Sequence, residues 1–299
     1  MTGPRRGIDV FVSSPSAQAT SGQIALAGLR LLVGLIWLRN LVWKVPPDFG
    51  ERHHDGLYFW THRAVEFPVS KPFSWMVEHV VLPNFTAFGW GVFVVESALA
   101  VQLLTGTAVR LAALLGITQS TAIGLSVAQA PGEWPWAYAM MIGIHVVLLF
   151  GPSARYAAVD ALCSATTPAA GRAIARRLLG GWGIALGLIG LVAVWLYLRD
   201  RPVLVGIARL EFSLGEYNLR SALLLVGIGL ALLAAALLGW RLIALAAAAV
   251  AVVAAISIYV QFGRTGVWLG GTPSTAAVLV CAGVVGLATA FRIGASGRS

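Results

Sequence analysis

The chain has 299 residues, of which 58% are hydrophobic and only 11% are charged. Soluble domains carry about 25% charged residues, so this composition excludes a soluble protein and predicts a polytopic membrane protein. The formal net charge of +9 does not indicate nucleic-acid binding, because the basic residues form no dense stripe with interleaved aromatic side chains. A charge bias that orients the chain in a membrane explains them better.

Apolar segments follow one another along the chain, and each is close to the roughly 20 residues that a helix needs to cross a bilayer. Eight of them are found, at residues 22–44, 84–106, 108–129, 134–151, 178–198, 220–239, 241–262 and 273–292. The loop 45–83 after the first segment is long, and its aromatic and charged faces predict two short interfacial helices on the outer surface. The sequence therefore predicts an all-α integral membrane protein with eight transmembrane helices.

The spacing of these segments repeats once. Each half opens with a helix, continues through an outer loop (45–83 or 199–219), and closes with three further helices. This order predicts a four-helix membrane domain at 1–171 and a degenerate second unit at 172–299, in parallel repeat. With the N-terminus inside, ten arginines and only two aspartates lie on the inner side, so both termini are expected to face the cytoplasm.

Ionisable residues within apolar helices are rare and usually face a partner or a cavity. Arg30 lies eight residues from Gly22, and Glu96 lies ten residues from Gly106. At 1.5 Å per residue, both side chains would sit roughly 12–15 Å from the inner end of their helices. We therefore predict that Arg30 and Glu96 form a buried ion pair between the first two helices.

Further polar and aromatic residues surround this predicted pair. Gln23, Arg30, Trp37 and Lys44 recur every seven residues and so share one helix face, with Asn40 one turn before Lys44. The candidate catalytic residues are Arg30, Glu96 and His145, and the candidate residues for binding a quinone head group are Gln119, Trp37, Asn40, Lys44 and Tyr138. A buried network that only locks four helices in register would explain the same residues.

Metal and common cofactor motifs are missing from the sequence. His53, His54, His62 and His79 lie in the first outer loop, but their spacing matches no strong metal-binding pattern. There is no CxxC, CxxCH, Walker A or GxSxG motif, so neither metal nor haem is expected.

The first half resembles the DoxX/DoxD family, which includes the membrane subunit of thiosulfate:quinone oxidoreductases. The resemblance rests on LRLLVGLIWLRNLVWK, ESALAVQLLTGTAVRLAALL and the segment from WPWAY to FGPSARYAAVD, within about residues 24 to 162. It places Arg30, Lys44, Glu96, Arg110 and Asp160 on recurring polar positions of the family. Many members have His-Gly before the lysine of the first helix, whereas this chain has Asn40-Leu41. The resemblance implies a four-helix membrane bundle with a role in passing electrons from a sulfur compound to quinone.

Three functional hypotheses remain open on the sequence. The first is a quinone-linked redox component or subunit of an oxidoreductase complex, multi-pass in a bacterial-type plasma membrane, with lipid, quinone and a redox subunit as partners. The second is a non-catalytic scaffold that recruits a redox or cell-envelope partner. The third is a transporter, which the parallel repeat favours but the second half, lacking matching polar residues, does not.

Overall fold

A computed structural model describes residues 20–201, 204–207, 212–264 and 267–293 of the chain, and most of them are helical. The N-terminal and C-terminal residues, for which a cytoplasmic location is predicted, lie outside the described residues. A π-helical turn, Val77–Val81, and a 3-10 turn, Leu82–Asn84, join the third and fourth helices. The elements in chain order are α1 Thr20–Asn40, α2 Gly56–Glu66, α3 Lys71–Met76, α4 Phe85–Thr105, α5 Val109–Val127, α6 Pro135–Phe150, α7 Asp160–Cys163, α8 Pro168–Tyr197, β1 Leu204–Ile207, β2 Phe212–Glu216, α9 Leu219–Leu238, α10 Arg241–Gln261 and α11 Pro273–Ile293.

Within the described residues, seven helical segments are long and apolar enough to cross a membrane. One of them, Lys71–Thr105, is a continuous 35-residue segment that includes α3 and α4. The predicted fourth span is also apolar, but α6 has 16 residues and a length of about 24 Å, less than the ~30 Å hydrocarbon core. The prediction of a mostly helical, multi-pass membrane protein is confirmed, while the count of eight spans, the repeat and the orientation stay predictions.

Glycines end the first helix of two helical hairpins, α4–α5 and α9–α10, where the chain must reverse. Gly106 follows α4 with φ of 68°, and Gly239 follows α9 with φ of 71°. Left-handed backbone of this kind is accessible to glycine without a steric cost, which explains why tight turns occur here. Both hairpins, α4–α5 and α9–α10, therefore form where the sequence predicts them.

The long loop 45–83 contains short helices at the predicted positions. α2 covers the stretch around Tyr58 and Trp60, and α3 begins directly after Ser70. Ser70 occupies the N-cap position, but its side chain makes no capping hydrogen bond. Instead of ending, α3 continues through the π and 3-10 turns into α4.

A small antiparallel sheet of β1 and β2 lies in the predicted loop 199–219 and adds to the helical fold. β2 alternates buried and partly exposed residues, as a strand with one covered face does. The backbone of Tyr217 continues the pairing through a bridge to Gly271, just before α11. The sheet therefore ties the loop between α8 and α9 to the beginning of α11.

α8 and α9, in the predicted second unit, pack through small residues. A Cβ added to Gly183 would lie 2.8 Å from the carbonyl oxygen of Gly229, and one added to Gly190 would lie 2.8 Å from that of Ala222. The backbones of α8 and α9 are therefore in direct contact at these glycines. A larger side chain at either glycine would force the two helices apart.

The two units are joined by α11, whose residues are buried along most of its length. α11 packs against α8, α9 and α10 of its own unit and also against α1 and α4 of the first unit. The Ser274 hydroxyl donates a 2.8 Å hydrogen bond to the Leu38 carbonyl oxygen, which connects the beginning of α11 to α1. One end of the molecule, which we call the basic end, contains the beginnings of α1, α5, α8 and α10. It also contains the ends of α4, α6, α9 and α11.

Candidate functional site

Glu96 lies in the middle of α4 and is completely buried. Its Oε2 atom is 2.5 Å from Nζ of Lys44, so the two side chains form a buried ion pair. Its Oε1 atom accepts a 3.0 Å hydrogen bond from Nε2 of Gln119 on α5. Both oxygens of the carboxylate are therefore bound by side chains from two other parts of the first unit.

Lys44 follows the turn that ends α1 and is 1% exposed. Besides Glu96, its ammonium group donates to the Asn40 carbonyl oxygen at 3.2 Å and lies 3.9 Å from the centre of the Trp43 ring. The Asn40 carbonyl belongs to the last turn of α1, where helix carbonyls lack an intrahelical partner. A carboxylate, a helix-end carbonyl and an aromatic face together compensate the burial of this charge.

The predicted pairing of Arg30 with Glu96 is wrong. Arg30 is fully buried, but its Nη1 donates to the Ser153 carbonyl oxygen at 3.0 Å and its Nη2 to that of Ala157 at 2.6 Å. The Asp160 carboxylate adds a favourable Coulombic interaction with the guanidinium group. Arg30 therefore holds the loop after α6 and does not contact the acid of α4.

The prediction assumed that the apolar segments of α1 and α4 end at the same level, and in the structure they do not. A Cβ added to Gly106 would lie 2.6 Å from Nη1 of Arg30, so Arg30 faces the last residue before the α4–α5 turn. Gly34, one turn further along α1, packs against Leu104, which precedes Gly106 by two residues on α4. α1 therefore extends several residues past the end of α4, and the cation that reaches Glu96 is 14 residues beyond Arg30.

Trp37 and His145 form a separate contact between α1 and α6. The Trp37 indole N–H donates to Nε2 of His145 at 3.1 Å, which leaves Nδ1 of the ring to donate to the Met141 carbonyl oxygen at 2.7 Å. Both ring nitrogens of a fully buried imidazole are thus occupied by protein groups. This network assigns the neutral tautomer with its proton on Nδ1.

A cavity of about 660 Å³ lies beside the Lys44–Glu96 pair. Its walls are largely apolar and aromatic, and α2 from the long loop contributes Leu57, Trp60 and Thr61. Six of the predicted site residues line this cavity, and they are Trp37, Asn40, Lys44, Glu96, Gln119 and Tyr138. Arg30 and His145 are not among its lining residues. The structure therefore separates the predicted catalytic residues, with only Glu96 at the cavity.

Ser120 is a cavity residue that the sequence analysis missed. It lies beside Gln119 on α5 and is 2% exposed, yet its hydroxyl has no hydrogen-bond partner among the described residues. Ser126 lines the same cavity, but its hydroxyl is bound to the Ala122 carbonyl oxygen at 2.9 Å. A buried hydroxyl without a partner is costly, so Ser120 is a group that a ligand could satisfy. Its position next to Gln119 was the only signal in the sequence.

The cavity has a second polar region at Tyr138 and Glu133. The Tyr138 hydroxyl donates to Oε2 of Glu133, and both residues line the cavity wall. The Tyr138 ring packs against Gly124, which is five residues from Gln119 on α5, or about 7.5 Å along the helix. We name the region of Lys44, Glu96, Gln119 and Ser120 the deep pole of the cavity, and Tyr138 with Glu133 the shallow pole.

The fold and the cavity define a helical membrane protein with a buried ion pair in the wall of a cavity that is lined by both polar and apolar side chains. Among the described residues, no group of three or more His, Cys, Asp or Glu side chains is arranged to hold a metal ion. Comparison of the chain with models of known protein families, with curated proteins and with solved structures gives no match. The resemblance to the DoxX/DoxD family is therefore neither supported nor contradicted by these comparisons.

Proposed function

We propose that the cavity binds the head group of a membrane quinone and that the protein is a quinone-linked redox component of a bacterial-type plasma membrane. The observation that carries this proposal is the deep pole, where a buried ammonium group and an unpartnered hydroxyl lie in the wall of a cavity that is also lined by apolar and aromatic side chains. A quinone head group has the complementary pattern, since carbonyl oxygens project from an apolar ring. The volume of about 660 Å³ lies within the usual range for small-molecule sites.

The residues of the deep pole have distinct roles in this proposal. Ser120 donates its hydroxyl hydrogen to a carbonyl oxygen of the ligand, because no described protein group accepts it. Lys44 stabilises negative charge that develops on that oxygen, since a cation in an apolar site acts strongly over a short distance. Glu96 holds Lys44 in place through the 2.5 Å ion pair, and Gln119 in turn holds Glu96 through a 3.0 Å hydrogen bond. Trp37, Trp43 and Trp60 supply apolar surface for the ring.

When bound, a quinone accepts two electrons and two protons. The shallow pole offers a route for the protons, because Tyr138 and Glu133 lie in the same cavity as Glu96. We assign the electron donor from the family resemblance alone: two thiosulfate ions give one tetrathionate and the two electrons required. A partner subunit that delivers the electrons would satisfy the same balance.

The proposal is tested by binding and turnover with purified protein in lipid nanodiscs. Addition of a short-chain benzoquinone or naphthoquinone should quench tryptophan fluorescence saturably, and thiosulfate should then reduce the bound quinone. The substitution Glu96→Gln should lower the reduction rate by about tenfold or more, because the neutral side chain no longer holds Lys44 by charge. Glu78→Gln, at an exposed position on the helical segment before α4, is the matched control. Equal rates in the two variants would overturn the catalytic assignment.

A non-catalytic scaffold is the second candidate, and the apolar side chains exposed on the loop helices favour it. Trp75 of α3 is 60% exposed and Trp60 of α2 is 37% exposed. Exposed aromatic residues on a loop can contact a partner as well as the membrane interface. Saturable quinone binding without any turnover, together with a partner that co-purifies from native membranes, would favour the scaffold.

A further inference from the structure

Arginines of α8 and α11 lie close together at the basic end. Arg172, Arg176 and Arg177 lie in the first three turns of α8. A Cβ added to Gly239, after α9, would lie 3.3 Å from Nη2 of Arg176. A Cβ added to Gly171 would lie 3.7 Å from Cδ of Arg292, in the last turn of α11.

These arginines are not balanced by acidic side chains among the described residues. The one described acid at the basic end is Asp160, and its two oxygens accept hydrogen bonds from the backbone N–H groups of Ala108 and Val109 at 2.8 and 3.0 Å. No salt bridge within the described part of the chain involves Arg172, Arg176 or Arg177. Clustered guanidinium groups repel each other, so this surface attracts an anion.

The surface of α8 beyond the arginines is apolar and open. Ile184, Leu188 and Leu191 are 55%, 58% and 56% exposed, and their spacing places them on the same helix face as Arg177. Between them and Arg177, added Cβ atoms at Gly180 and Gly181 would meet nothing within 4 Å. The two glycines thus leave an open strip of surface, which we call the groove, between the arginines and the exposed apolar face.

We propose that this surface is a binding site for an anionic phospholipid. The phosphate group binds Arg172, Arg176 and Arg177, and the acyl chains follow the groove at Gly181 toward Ile184 and Leu188. The exposed apolar side chains beside the arginines favour a lipid over a free anion, because only a lipid has acyl chains that can cover them. Basic surfaces next to membrane helices bind acidic head groups in the same way.

The test compares lipid retention by charge variants of the whole protein. The protein is purified in detergent, exposed to phosphatidylglycerol, cardiolipin or phosphatidylcholine, and analysed by native mass spectrometry. Each arginine near an anionic head group contributes roughly 1 kcal/mol, or about fivefold, so Arg172→Gln/Arg176→Gln/Arg177→Gln should weaken retention of the acidic lipids about 100-fold. The control Arg52→Gln/Arg201→Gln/Arg264→Gln removes the same charge from exposed positions of other loops and should retain them.

Two further measurements keep the test informative if the triple variant folds poorly. Retention by the unmodified protein should fall as sodium chloride rises toward 0.5 M, because the salt screens the head-group charge. Gly181→Leu should weaken retention of acidic lipids by filling the groove, without any change in charge. Equal retention of phosphatidylcholine, equal loss in the control variant, or full competition by free glycerol phosphate would each overturn the proposal.

Discussion

Arg30 and Lys44 are both buried cations of α1 and its following turn, but the protein balances their charges in different ways. Lys44 has a carboxylate partner, Glu96, and lies in the wall of a cavity. Arg30 donates to two backbone carbonyl oxygens of the loop after α6 and does not line that cavity. The difference shows that two equally buried cations close together in the chain can have different surroundings, and that of the two only Lys44 has space for a ligand beside it.

The largest expected effect follows from breaking the Lys44–Glu96 pair. Lys44→Met or Glu96→Gln should each lower the free energy of unfolding by about 3–5 kcal/mol, because each leaves one uncompensated buried charge or an unpaired partner. The double variant should lose clearly less than the sum of the two. Denaturant titration in detergent micelles measures the three values. The exposed pair of substitutions Lys71→Met and Glu78→Gln serves as the control, and additive losses at Lys44 and Glu96 would contradict the pairing.

A smaller effect is expected at Arg30. Arg30→Met should lower the free energy of unfolding by about 2–4 kcal/mol, because the Ser153 and Ala157 carbonyl groups lose charged donors. Limited proteolysis should cut the loop 151–159 faster, while quinone affinity should change less than twofold. A variant with weakened quinone binding and normal stability would show that Arg30, contrary to the comparison above, belongs to the ligand site.

Two serines of the same cavity test whether an unpartnered hydroxyl group there binds the ligand. Ser120→Ala should weaken quinone binding about five- to tenfold, the loss of one hydrogen bond, without lowering the melting temperature. Ser126→Ala should leave quinone affinity unchanged, because its hydroxyl is already bound to the helix backbone. Fluorescence titration and thermal unfolding measure the two properties. Equal affinities of the two variants would remove Ser120 from the site.

The smallest effect concerns the contact between His145 and Trp37, which lies between Arg30 and Lys44 in the chain. Trp37→Phe should cost about 1 kcal/mol, because Nε2 of His145 loses its donor. The pH profile of quinone reduction should stay the same, since His145 is not among the residues that line the cavity. A shifted profile in this variant would restore His145 as a proton carrier.

The helices were predictable because each needs only a long apolar run and a terminating residue such as Gly106 or Gly239. The stripe on α1 was also predictable, since Arg30, Trp37 and Lys44 are all buried as the seven-residue spacing indicates. Their partners were not, because the register between helices depends on packing contacts such as Gly34 with Leu104. Arg30 lies beside Gly106, ten residues along α4 from Glu96, so Lys44 and not Arg30 reaches the carboxylate. At nine residues from Arg110, Gln119 is expected about as deep as Glu96 is from Gly106, and the hydrogen bond between the two side chains agrees with this expectation.

The cavity itself could not be read from the sequence. It depends on α2 folding back from the loop 45–83 to cover the space between α1, α4, α5 and α6. The β-strands were likewise hidden in a segment read as a loop, because strands of four and five residues give a weak periodic signal. Ser120 gave no signal of its own, since an isolated serine in a membrane helix usually bonds to its own backbone.

α11 packs against helices of both predicted units, and this packing determines how stable each fragment would be after cleavage of the chain. Cleavage in the linker before α8 would leave α1 and α4 with faces shaped for α11, and the Leu38 carbonyl group would lose the Ser274 hydroxyl. Two fragments expressed together should therefore reassociate in the bilayer, whereas the N-terminal fragment alone should be unstable. The predicted second unit, in whose described residues there is no buried ion pair, would thus stabilise the shape of the first.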